Sequence, residues 1–231
     1  MNLETYIHHF LLYSENPEKT FASIQKNLDL IEAFPVANFG GFYSGMLWLQ
    51  NSYLEIVIYP KNIPAPNSND SNVRFVCIAL KCNRTADETY EYLTKHNISC
   101  SKVLDENVQD KDGNVTTIAK IILLQEYVQD FRIFFVFHTN DFFEQIEKRI
   151  SHNSSPSFDS FELSLTNPEK IKPLFRSMGI KELAQDTFVT SKKQTIVLKR
   201  SASSSSEISR FTISKENTHI DLVGEKYYID D

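Results

Sequence analysis

Glu55 interrupts "YLEIVIY", residues 53 to 59, a run that is otherwise apolar and β-prone. Side chains alternate along a strand, so Tyr53, Glu55, Val57 and Tyr59 share one face while Leu54, Ile56 and Ile58 share the other. The Leu/Ile face suits packing beneath a helix, which turns Glu55 towards the opposite side. An ionised carboxylate held there is costly unless it is paired, hydrogen-bonded or bound to a metal. The natural companion is His8-His9 in "TYIHHFLLY". On a regular strand the two imidazoles point opposite ways, leaving His8 for the surface or a capping contact. His9 and Glu55, facing each other or Tyr13 or Tyr53 across a sheet, could satisfy themselves by hydrogen bonds alone.

Other chemistry-bearing patterns are weaker. The Gly40-Gly41…Gly45 stretch lacks the Lys-Ser/Thr of a phosphate loop and opens no helix, so it reads as a turn or bulge. No GxSxG elbow is present for a hydrolase. His96 and His152 end predicted helices, where a cation suits the negative end, and His219 only precedes a strand. Trp48, the sole tryptophan, and Tyr43 lie on a predicted strand beside these glycines, where they floor a pocket or fill core. Cys77, Cys82 and Cys100 form an odd set without a CxxC pair, which suits a reducing compartment.

The elements that would position these groups recur along the chain. "LLYSENPEKTFASIQKNLDLI" is echoed by "ELSLTNPEKIKPLFRSMGIKEL": an apolar strand, then Asn-Pro-Glu-Lys, then a helix. Asn16 and Asn167 can cap, Pro17 and Pro168 fit the first turn, and Glu18 and Glu169 favour its positive end. "RFVCIALKCNRTADETYEYLTKHNISC" is a fainter middle copy with Thr85 as cap. Several β-prone runs follow each helix, so the chain divides into βαβββ-like modules at 1–66, 73–152 (with a connecting helix, "DFFEQIEKRI") and 156–231. "PKNIPAPNSNDSN" and "SHNSSPS" read as the linkers, "DKDGN" as a turn, and "SASSSSE" as a loop within the last module.

Repeated βαβββ modules, with "HHFLLYSENPEKTF" as opening strand and helix and "FGGFYSG…YLEIV" as glycine pair and last strand, resemble the glyoxalase-like branch of the vicinal oxygen chelate superfamily. The resemblance implies an α+β fold in which two modules pair into a curved mixed sheet around a cavity. It also implies a divalent metal (zinc, iron, manganese or nickel) held from the first and last strands of each module. Carried onto this chain, His9 matches the first-strand ligand and Glu55 the last-strand ligand, with Glu55 as ligand or base. The second module offers only His138, at the end of "FRIFFVFH"; the third offers Asp221, where "HIDLV" mirrors "YLEIV", if the first and third modules pair. A complete set of strong ligands is absent either way, which favours absence of the metal. Tyr13, Tyr43, Trp48, Tyr53, Phe135 and Phe137 are the candidate ligand-binding aromatics.

A chain of 231 residues with 41% hydrophobic and 23% charged content buries a sizeable core. Its net charge of -6, without basic runs, argues against nucleic acid, and its N-terminal apolar run is too short to span a bilayer. The expectation is a cytoplasmic, glyoxalase-like protein that binds a small organic molecule between modules. Three functions fit: a metal-dependent lyase, isomerase or dioxygenase; a metal-free binding or sequestering protein of resistance type; or a non-catalytic module that uses its aromatics to form a homodimer.

Overall fold

The computed structural model describes residues 3–39, 42–58, 73–109, 113–125, 127–128, 131–139, 144, 148, 156–202, 206–215 and 218–223. The linker "PKNIPAPNSNDSN", the glycine pair Gly40-Gly41, Tyr59, His152, most of "SHNSSPS" and "DFFEQIEKRI", and parts of "DKDGN" and "SASSSSE" lie outside the described residues.

Local chemistry sets the first helix. After β1 (Tyr6–Ser14), Asn16 Oδ1 accepts the Lys19 backbone N–H at 3.2 Å, with Pro17 in the first turn of α1 (Pro17–Leu28). The helix ends where Asp29 turns left-handed at φ 51 and the Leu30 N–H reaches back to the Gln25 carbonyl. Phe21, Ile24 and Leu28 form its buried stripe. Strands β2 (Ile31–Phe39), β3 (Phe42–Leu49) and β4 (Ser52–Ile58) follow. The second set repeats the order: β5 (Val73–Lys81), α2 (Ala86–Lys95), β6 (Leu104–Gln109), β7 (Val115–Leu124) and β8 (Arg132–His138). Here Thr85 and Glu88 cap α2 reciprocally.

The third set departs from the first after the same Asn-Pro-Glu-Lys. β9 (Ser157–Leu165) leads into a single 3-10 turn, Pro168–Lys170, and only then into the short α3 (Lys172–Ser177). Pro173 has no N–H to extend the earlier turn, so the helix restarts. Strands β10 (Lys181–Ala184), β11 (Thr187–Val189), β12 (Thr195–Arg200), β13 (Glu207–Lys215) and β14 (Thr218–Val223) complete the described chain.

Two sheets result. The first has eight strands in the order β2-β3-β4-β1-β5-β8-β7-β6 and curls into a half-barrel. Its centre is the antiparallel pair β1–β5, and each of these strands also pairs in parallel with the last strand of its own set, β4 or β8. The architecture is therefore α+β with curled mixed sheets, as the sequence leads one to expect. The second sheet runs β10-β11-β12-β9-β13-β14. β13 lies antiparallel to β9 as β5 does to β1, so β13 and β14 begin a further, partial set rather than ending the third.

That topology corrects the alignment of "HIDLV" with "YLEIV". The last strand of the third set is β12, where Val197 pairs with Glu162 as Glu55 pairs with Leu11. Asp221 sits on the outermost strand of the second sheet, opposite Thr212. Mirrored strand sequences misled here because alternation alone does not record which neighbour a strand chooses.

The convex face of the half-barrel is the core. Ile7, Phe10, Leu12, Leu47, Leu54 and Ile56 are buried there beneath α1 and the second sheet. Phe10 meets Phe158, Phe161 and Phe211 of that sheet at ring-centroid distances of 4.8, 5.5 and 4.9 Å. Edge-to-face packing of this kind adds to the area that the rings bury.

Candidate functional site

The concave face holds a cavity of about 400 Å³. Its walls are largely apolar, with Leu11 from β1, Met46 from β3, Ile121 and Leu123 from β7, and Phe134 and Val136 from β8. One polar pole comprises His9, Ser44, Glu55 and His138, and Glu106, Asn107 and Arg132 add polar groups from β6 and the start of β8. Glu55 lies where alternation puts it, with Tyr53 and Val57 on the inner face and Leu54 and Ile56 in the core behind.

His8 overturns the expectation of opposite faces. The β1–β5 register shifts between Ile7 and His9, so β1 carries a bulge at this point. Ile7 and Phe10 both face the convex core, and His8 and His9 lean together on the other side. Their Nδ1 atoms are 2.9 Å apart, which requires one imidazole to donate and the other to accept. The His9 ring stacks on Tyr53 at 4.4 Å, and His138 lies 5.1 Å from His8 between ring centroids.

The bulge has a partner in the second sheet. Gln194, fully buried, accepts the Ile7 N–H at 2.8 Å and donates to the Ile7 carbonyl at 2.9 Å and to the Asn51 carbonyl at 3.2 Å. A side chain thus replaces the strand-to-strand bonds that the bulge interrupts.

Glu55 has a polar neighbour at each oxygen. Ser44 Oγ donates to Oε1 at 2.6 Å, and His9 Nε2 lies 3.4 Å from Oε2, a loose contact. Burial, reinforced by the nearby Glu106 carboxylate and opposed by the Ser44 hydrogen bond, raises the Glu55 carboxyl to about 7. Burial and the neighbouring His138 hold His9 well below the usual imidazole range, and burial with the His9, His138, Lys81 and Lys192 charges does the same to His8. His138 is lowered to about 4 by burial and the Lys81 ammonium. The His9–Glu55 contact is consequently between neutral groups below about pH 7, since desolvation disfavours both charges. Ser44, Glu55, His9 and His8 thus follow one another at 2.6, 3.4 and 2.9 Å.

The register also identifies the counterparts of His9 and Glu55 in the other half. His9 pairs with Ala79 and Leu11 with Cys77, so a local two-fold exchanges His9 with Cys77 and Leu11 with Ala79. Glu55 pairs with Leu11 and Phe134 with Ala79, which makes Phe134 the counterpart of Glu55. The second half of the site therefore presents a buried thiol and a phenyl ring. Among the described residues, no three His, Cys, Asp or Glu side chains converge to hold a metal ion. His9, Glu55 and His138 line one cavity but do not make such a group, and Asp221 belongs to the other sheet. The donor set does not fit a divalent metal.

The remaining aromatic candidates divide. Tyr53 lines the cavity. Phe135 does not: it is fully buried in the convex core, and Phe137 packs against that same core. Strand parity puts Phe134, Val136 and His138 on the inner face, so the neighbours of the chosen residues are the ones that face in. Tyr43 alternates away from Phe42, Ser44 and Met46 to the helix side. Tyr13 is on the inner face but beyond the cavity, packed near Leu11 and Phe42 with the Arg74 guanidinium 4.8 Å from its ring centre. Trp48 packs on Tyr53 and lines a separate, smaller pocket. Ser44, Cys77, Phe134 and Arg132 are cavity residues that sequence reasoning passed over. Parity with Met46, the cross-strand partner of Glu55, finds Ser44, and parity with His138 finds Phe134. His96 caps α2, its Nδ1 2.8 Å from the Tyr92 carbonyl, in the structural role expected of it.

A half-barrel of paired βαβββ sets around an inward carboxyl–imidazole pair defines the class: the chain has the glyoxalase/dioxygenase-like fold of the vicinal oxygen chelate superfamily. Solved structures bear this out at the level of fold. A hypothetical protein from Staphylococcus aureus superposes with a TM-score of 0.62 and 9% identity, covering 94% of this chain and 98% of the other. A mutant of 4-hydroxymandelate synthase from Streptomyces coelicolor gives 0.62 and 9%, covering 92% of this chain and 71% of that one. A variant of homoprotocatechuate 2,3-dioxygenase from B. fuscum gives 0.51 and 12%, covering 86% of this chain and 54% of that one, so this chain spans about half its length. No family model and no curated protein matches the sequence.

Proposed function

We propose that this protein binds a compact, largely apolar organic molecule in the concave cavity, with the ligand's polar group against the Glu55 carboxyl. The supporting observation is the cavity: about 400 Å³, with largely apolar walls and with Ser44, His9, His138 and the Glu55 carboxyl among its polar groups. That size and that distribution are typical of small-ligand sites. Two proteins of like fold are named 4-hydroxymandelate synthase and homoprotocatechuate 2,3-dioxygenase, and a small organic ligand is the size that a cavity of about 400 Å³ suits. No metal enters this reading, because among the described residues no three His, Cys, Asp or Glu side chains converge and Phe134 stands where a second carboxylate would be needed. Three free cysteines favour the reducing cytoplasm as its location. Among the described residues, no helix is long and apolar enough to cross a membrane.

A second reading, proton transfer, is favoured by one observation: a buried carboxyl raised to about 7 beside a neutral imidazole is poised to give or take a proton. In that reading Glu55 is the base and Ser44 holds its other oxygen, as an isomerase or lyase working without a metal.

The test uses 1-aminoanthracene, a neutral fluorescent ring system. Saturable one-to-one enhancement, weakened when Ile121→Phe fills the cavity, supports the proposal. Absence of saturation in a folded protein overturns it. Metal analysis of protein purified without chelator is expected to show substoichiometric zinc, iron, manganese and nickel. A full equivalent of any of them, lost in His9→Ala and Glu55→Ala, overturns the metal-free reading.

A further inference from the structure

We infer that a second, smaller pocket, where the two sheets meet, binds a small oxyanion such as phosphate or a carboxylate, held by Lys81 and Lys192. The pocket lies on the far side of Tyr53 and His8 from the large cavity and measures about 50 Å³. One water needs roughly 10–15 Å³ on this measure, so the space accepts about three or four waters or one phosphate-sized group.

Both sheets contribute. Lys81 is the last residue of β5, and Lys192 lies in the turn between β11 and β12. The Lys192 ammonium rests 4.1 Å from the centre of the Tyr6 ring, which fixes its charge at the pocket wall. Among the described residues, neither ammonium has a carboxylate within 4.0 Å. Glu144 is the one acidic side chain among the described lining residues, so two cations outweigh it.

The rest of the lining shapes the pocket. Asn51 is committed to the Phe158 backbone at 2.7 and 2.8 Å, and Ser52 donates to the His8 carbonyl at 3.1 Å. Trp48 and Tyr53 supply apolar walls, where a charge pair attracts more strongly than in open water. Lysine suits this task as a compact point charge that needs no fixed approach geometry. The site is independent of whether the large cavity holds a ligand.

Trp48, the sole tryptophan, lines this pocket and not the large cavity, so it reports occupancy directly. Inorganic phosphate titrated at constant ionic strength should change Trp48 emission saturably. Lys192→Ala, an exposed turn substitution, and Lys81→Ala should each raise the Kd by about tenfold or more, since each removes a charge-assisted contact. Phenyl phosphate binding more tightly than phosphate points to the anionic end of a larger molecule; equal or weaker binding points to a free ion. A response that does not saturate, that chloride reproduces, or that both variants retain overturns the inference. Far-UV circular dichroism confirms that each variant is folded, and Lys192→Ala alone decides the matter if Lys81→Ala is not. Failure of 1-aminoanthracene to bind leaves this titration unaffected, so the two readings fall separately.

Discussion

Glu55 carries a cost that depends on pH, and its sign follows from the direction of its shift. Its carboxyl titrates at about 7 in the folded protein against 4.5 for the unperturbed group, so between those values the folded state holds a proton that the unfolded chain has released. Stability contributed by this group is fully present below pH 4.5 and is lost as pH rises through about 7. The whole gap corresponds to about 3 kcal/mol, an upper bound for a side chain that is 12% exposed. Glu55→Gln should therefore stabilise the protein at pH 8 by up to about 3 kcal/mol and change little at pH 4.5; urea midpoints at the two pH values measure this. An equal effect at both would show that the carboxyl is not raised. His138 acts in the opposite sense. Its folded value of about 4 lies below the usual 6.5, so acidification through that window favours the unfolded chain. His138→Phe should flatten the acid limb of stability between pH 4 and 6.5.

A bulge fixes this pole, and a glycine closes on the segment that leads into β1. Gln194→Ala leaves the Ile7 N–H and carbonyl buried without their side-chain partner. Each such group costs about 1–3 kcal/mol, so a loss of about 3 kcal/mol is expected in chemical unfolding. Gln194→Glu, which sets a carboxyl oxygen against the Ile7 and Asn51 carbonyls in a fully buried site, should cost at least as much as alanine at neutral pH. A neutral result for alanine would mean that water substitutes in the gap. Gly179 ends α3 at φ +77, with the Phe175 carbonyl bonded to the Ile180 N–H at 3.0 Å. A Cβ there would strike the Leu3 carbonyl as well as strain the backbone. Gly179→Ala should cost more than about 2 kcal/mol, read as a lower melting temperature.

At the scale of the molecule, the second sheet supports the first sheet's site from behind. Its turn bonds Ser191 to the Thr5 carbonyl at 3.0 Å, Gln194 to Ile7, and the Phe158 strand to Asn51 at 2.8 Å. The phenyl cluster around Phe10 lies between the sheets. Thermal unfolding should accordingly be one transition, with Trp48 fluorescence and far-UV circular dichroism coincident. Phe10→Ala should lower its midpoint by the equivalent of about 3–5 kcal/mol without splitting it. Two separated transitions would show that the sheets fold independently.

The sequence by itself determined what depends on near neighbours: the caps at Asn16 and Thr85, the strand alternation that turns Glu55 inward, and the recurrence of strand, helix and strands that defines the fold. It also carries the information that Phe134 and Val136 share a face with His138, opposite to the face of Phe135 and Phe137. Tertiary structure alone decided the rest. Whether His8 joins His9 depends on a one-residue bulge, whose backbone groups are met by a glutamine 187 residues away. Whether Val197 or Asp221 answers to Glu55 depends on which strand lies beside β9. Both are choices among pairings of similar local energy, and they are settled by the long-range burial and hydrogen bonding that only the assembled sheets provide.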